Sequence, residues 1–117
     1  MLDHFQNPRN VGELPPPAVA VEVSNPVCGD ILRLSAIVEQ GKLHQVRFKT
    51  RGCVAAIACA SLLTELVQGK SLEEAARLTS GDVASALGGL PSESGHAAVL
   101  AIESLQAVLS KAVARQK

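Results

Sequence analysis

A chain of 117 residues with 47% hydrophobic content can bury one respectable core, so a single domain over residues 1–117 is expected. Eleven basic and eleven acidic residues cancel, which argues against a nucleic-acid or anionic-membrane partner. Only Phe5 and Phe48 are aromatic, so base stacking is hardly available and the core must be aliphatic, packed most economically as helix on sheet.

Four of the six prolines fall within residues 1–17, and Asn7-Pro8 and Pro15-Pro16-Pro17 break the chain. This allows a short helix before Asn7 and then an extended arm, which is either a docking segment or, as composition favours, a loose terminus. Residues 18–24 carry the β-branched run V-A-V-E-V and read as a strand ended by Asn25-Pro26. Residues 31–39 alternate, with Leu32, Leu34, Ala36 and Val38 on one face and Arg33, Ser35 and Glu39 on the other. Gln40-Gly41 turns the chain into a returning strand over 43–50, with Val46 and Phe48 inward and Arg47 and Lys49 outward. His44, beside the turn, reads as solvated.

Gly52 breaks this strand, and an almost wholly apolar helix is predicted from Cys53 to Val67, stopped by Gly69. Cys59 lies roughly 240° of helical rotation from Cys53 and is expected in the core. Ser71-Leu72-Glu73-Glu74 has capping-box spacing and opens a helix to about Leu78; Thr79 or Ser80 caps another, ended by Gly88-Gly89. After the loop at residues 90–95, Val99, Ile102, Leu105, Val108, Leu109, Ala112 and Val113 sustain helical spacing, with His96 at the helix start.

The longest apolar run, residues 54–60, is far too short to span a bilayer. Residues 1–4 lack the basic and then apolar pattern of a secretory signal, and three cysteines is an odd count for a disulfide framework. A reducing cytoplasm is the expected compartment.

The chemistry gathers at element ends. Cys53 is placed at a helix N-terminus, where the backbone dipole and nearby Lys49 and Arg51 favour a thiolate. In Cys28-Gly29-Asp30, extended positions i and i+2 point to the same side, and Gly29 leaves room for a close approach. His96 at a helix start is expected neutral, the form that binds metal. Two thiolates, an imidazole and a carboxylate make a tetrahedral zinc set or an incomplete-looking iron–sulfur site. The scattered spacing leaves the plainer alternative open, a satisfied histidine plus core thiols.

At these residues the chain resembles the NifU N-terminal and IscU-type scaffold family of iron–sulfur cluster assembly. The matching stretches are D-H-F-Q-N-P-R-N-V-G at 3–12, C-G-D at 28–30, K-T-R-G-C-V-A-A-I-A at 49–58, T-E-L-V-Q-G-K-S-L-E-E-A at 64–75, and L-P followed by His96. The resemblance implies an α+β fold, a three-stranded antiparallel sheet packed against several helices with a long C-terminal helix. It implies Cys28 and Cys53 as thiolate ligands, Asp30 as the carboxylate that keeps a bound 2Fe-2S cluster labile, and His96 as a further ligand. The implied partners are a cysteine desulfurase and iron–sulfur acceptor proteins.

Two departures accompany the resemblance. Ala97 stands where the family carries its third cysteine, which removes one cluster ligand and the usual sulfur acceptor; zinc, which accepts four mixed ligands, loses less than a cluster does. Residues 90–94 read L-P-S-E-S in place of the chaperone-docking L-P-P-V-K, so a dedicated Hsp70-type chaperone is not expected to bind. Three functions compete: a scaffold or carrier for an iron–sulfur cluster or iron, a zinc-binding or degenerate homologue that docks on a desulfurase, and a persulfide acceptor at Cys53 or Cys28. An ordinary hydrolase or transferase has little support, because the sequence carries no phosphate-binding glycine motif and no nucleophile elbow.

Overall fold

The computed structural model describes residues 6–25, 29–52, 54–89 and 95–116. The predicted helix before Asn7 falls almost wholly outside them. Three strands, β1 (Val19–Asn25), β2 (Asp30–Glu39) and β3 (Lys42–Arg51), form an antiparallel sheet in the order β1-β2-β3. Four helices follow: α1 (Val54–Val67), α2 (Leu72–Ala76), α3 (Ser80–Ala86) and the long α4 (Gly95–Gln116). Helices α1 and α4 pack on one face of the sheet, as the aliphatic composition requires.

The alternation in β2 buries Leu32, Leu34 and Ala36 against α1 and α4, and β3 adds Leu43, Val46 and Phe48. Leu43 breaks strict alternation with Val46 because the register shifts between Ile37 and Val38. Gln45 pairs with Ile37 and Leu43 with Val38, so His44 is the extra residue of a bulge and stays exposed. Gln40 and Gly41 both take positive φ in the hairpin turn.

Ser35 departs from the predicted pattern. It is buried although it points to the face opposite Leu34, because the N-terminal arm crosses there and the Leu14 N–H donates to its hydroxyl at 3.1 Å. The arm is therefore docked, not loose. Residues 10–12 pair in parallel with the edge of β3, through Phe48 N–H to Asn10 C=O (2.9 Å) and Gly12 N–H to Phe48 C=O (2.8 Å). The Arg9 N–H donates to Ser61 Oγ (2.8 Å) and Asn10 Nδ2 to Thr64 Oγ1 (3.1 Å), both on α1; Glu13 pairs with Arg33 on β2. Composition misled here because a proline-rich arm has no side-chain periodicity to announce backbone pairing.

Helix α1 is buried on most sides, Cys59 fully so, and it stops at Gly69, whose φ is +87°. The chain after it pairs with the hairpin end through Leu43 N–H to Lys70 C=O (2.8 Å) and Leu72 N–H to Gly41 C=O (2.9 Å). Both predicted capping boxes form, at Ser71/Glu74 and at Thr79/Asp82, although α2 ends at Ala76, short of Leu78. Residues 95–114 are long and apolar enough, by length and composition, to cross a membrane. In this structure 56% of that stretch's most apolar window is buried, which is the behaviour of a core helix.

The backbone N–H of Ser71, followed by its hydroxyl, holds the Glu74 carboxyl below its ordinary value. A depressed folded pKa contributes stability above the unfolded value and loses it as pH falls through the folded one. Glu74→Gln is thus expected to destabilise at neutral pH and to match the parent once both are acidified below that range, as read by denaturant titration at the two pH values.

Candidate metal and cluster site

One end of the sheet carries the start of β2, the end of β3 and the starts of α1 and α4. Asp30 opens β2 and its side chain is 5% exposed; His96 is the second residue of α4 and its side chain is 29% exposed. Remote in sequence, they meet here, with His96 Nε2 at 3.5 Å from Asp30 Oδ2. Two light-atom donors about 2.0–2.1 Å from one tetrahedral ion lie about 3.3 Å apart, so this pair already stands near the spacing of two ligands on one metal.

The third partner is a backbone. Gly52 closes the turn out of β3, and a β carbon built on it would overlap Asp30 Oδ1 and lie 2.7 Å from Asp30 Cγ. The carboxylate is seated against this turn. Thr50 Oγ1 donates to the Ile31 carbonyl at 2.7 Å and ties the end of β3 to the beginning of β2 beside it.

Cys28 and Cys53 lie outside the described residues, so their predicted ligand roles stand on position in the sequence. Cys28 is two residues before Asp30, and Cys53 falls between Gly52 and Val54, the first residue of α1. Asp30 and Gly52, their sequence neighbours, are in contact. Among the described residues no group of three or more His, Cys, Asp and Glu gathers, and Asp30 and His96 are the two donors that meet.

One expectation is corrected. Gly29 has φ +74°, a left-handed turn and not an extended residue, so the same-side argument for Cys28 and Asp30 does not apply. Ala97 is 1% exposed within the core and Ala98 2%, so the position next to His96 supplies packing and no donor. Gly52 was legible only as the break that ends a strand. A glycine immediately before a candidate ligand, at a strand-to-helix junction, is the signal that a group approaches closely there.

A family model, the NifU-like N-terminal domain, matches residues 1–117. The chain belongs to the NifU-like N-terminal domain family. An iron–sulfur cluster assembly scaffold protein IscU of Archaeoglobus fulgidus is 44% identical over 106 residues, covering 91% of this chain and 69% of that protein. The IscU scaffold protein of Haemophilus influenzae is 40% identical over 120 residues, covering 99% of this chain and 94% of that one. Among solved structures, the NifU-like fold recurs in a protein described as an iron–sulfur cluster assembly scaffold for the SUF system, from Fervidobacterium islandicum. It has a TM-score of 0.75 at 20% identity and 92% coverage of each chain, which speaks for the fold alone.

Proposed function

We propose that this NifU-like domain, a single unit over residues 1–117, is a scaffold that transiently holds an iron–sulfur cluster or its iron and passes it to acceptor proteins. The observation that carries the reading is the approach of Asp30 to His96 at donor spacing, with Cys28 two residues before Asp30 and Cys53 next in sequence to Gly52, against which Asp30 is seated. Soft thiolates at 28 and 53 suit iron–sulfur chemistry, and the imidazole and carboxylate complete four donors, two for each iron of a 2Fe-2S cargo. The oxygen donor is the weak point of such a set. A harder ligand than thiolate exchanges more readily, which is what a carrier needs and a storage site does not.

The family membership supports a scaffold and not a catalyst. A cysteine desulfurase as sulfur donor and iron–sulfur proteins as acceptors belong to the proposal, as does a cytoplasmic location. The altered stretch at residues 90–94, outside the described residues, argues against docking of a dedicated Hsp70-type chaperone. The test is transfer: protein loaded anaerobically with iron and sulfide is mixed with an apo 2Fe-2S acceptor, and the acceptor's spectrum should develop at the expense of the donor's. A cluster that forms and never leaves would defeat the carrier reading.

A second reading is favoured by Ala97. With an apolar core residue in place of a third thiol, the same four donors match a zinc ion at least as well as a cluster. It makes the chain a zinc-binding homologue that docks on a desulfurase or accepts its sulfur. Near-stoichiometric zinc in purified protein, together with refusal of iron after chelation, supports this second reading over the first.

A further inference from the structure

Six of the nine glycines take positive φ, and a β carbon on any of those six would meet none of the described residues within 4 Å. They serve backbone conformation. Gly52 is the opposite case: its backbone is outside the left-handed region, yet a β carbon there would collide with Asp30 at Oδ1, at Cγ (2.7 Å) and at Cβ (3.1 Å). Among the described residues, no other glycine has a neighbour closer than 3.6 Å to such an atom. The reason for glycine at 52 is therefore space, and the space is filled by one carboxylate.

We propose that Gly52 is a positioning residue for Asp30: the missing side chain forms the seat that holds the carboxylate against the β3–α1 turn and within reach of His96. Any side chain at 52 turns the carboxylate away from Nε2, because the obstacle is backbone-anchored and cannot swing aside. Asp30 opens β2 and is buried, so the room for it to retreat is small. The placement needs no cargo. Its consequence for cargo, that Gly52 sets how much oxygen ligation the site offers and hence how fast a cluster leaves, rests on the function proposed above.

The test compares Gly52→Ala, Asp30→Ala and the double variant with the parent. In metal-free protein at one pH, the 15N resonance of the His96 imidazole should move in Gly52→Ala to the position it has in Asp30→Ala, and move no further in the double variant. Gly52→Ala should lower the thermal midpoint by about 4 °C or more in the Asp30 background and by clearly less once Oδ1 and Cγ are removed, where the 3.1 Å approach to the β carbon of residue 30 remains. In loaded protein, Gly52→Ala and Asp30→Ala should slow transfer to an acceptor by the same factor. An unmoved His96 resonance in a folded Gly52→Ala protein overturns the proposal. So does equal destabilisation in both backgrounds, or a double variant that fails to fold. Should Gly52→Ala fail to fold while the double variant folds, the seat is supported by the rescue. A moved resonance in a protein that takes up no cluster also supports the seat, and counts only against the scaffold reading.

Discussion

Phe48→Ala is expected to lower stability by about 3–5 kcal/mol, a large part of what a domain of this size possesses. Phe48 is 2% exposed and is the one aromatic side chain among the described residues. Its ring is one of the largest fully enclosed groups between the sheet and α1, in a core otherwise built of small aliphatic side chains. Alanine-rich α1 has little with which to collapse into the space left behind. Phe48 also carries the two backbone bonds that dock the arm, so loosening β3 at this point should release residues 9–14 as well. Denaturant unfolding measures the loss, and limited proteolysis near Arg9 should quicken in the variant. A cost under about 1 kcal/mol would mean that the core is not packed as described.

Cys28→Ser and Cys53→Ser are each expected to weaken cluster retention by at least ~100-fold, since groups that merely orient a ligand already account for about 10- to 100-fold. Neither change should alter the midpoint of unfolding of cargo-free protein much if both thiols serve as ligands as proposed; Cys59, the cysteine among the described residues, is fully enclosed in the core. Cys59→Ser, which places a hydroxyl at a fully enclosed position, should show the reverse pattern, destabilising the fold while sparing cluster binding. Iron and sulfide retained on a desalting column, read beside thermal unfolding, separate the two classes. If Cys53→Ser holds its cluster as the parent does, the thiolate assignment is wrong.

The sheet was legible because β-branched alternation and a Gln-Gly turn are local signals, and three strands appear within a residue of their expected ends. Helix boundaries were legible where a cap states them, at Ser71, Thr79 and Gly69. What sequence could not supply was anything decided by contact between distant segments. The arm reads as a floppy proline-rich stretch until β3 and α1 offer it partners at Phe48, Ser61 and Thr64. Ser35 reads as solvent-facing until Leu14 covers it. His44 sits on the inward parity until a bulge shifts the register. For the site, residue types pointed to Asp30 and His96, but their meeting at 3.5 Å, and the role of Gly52 as the wall behind the carboxylate, belong to the fold.

The central claim, that Cys28, Asp30, Cys53 and His96 hold one iron–sulfur cargo, is tested most directly by anaerobic incubation of the purified protein with ferrous iron and sulfide, followed by iron and sulfide analysis with visible absorption spectra. Two irons and two sulfides per binding site, with the chromophore lost in Cys53→Ser and changed in His96→Ala, is the predicted result. Folded protein that takes up neither iron nor sulfide would contradict it.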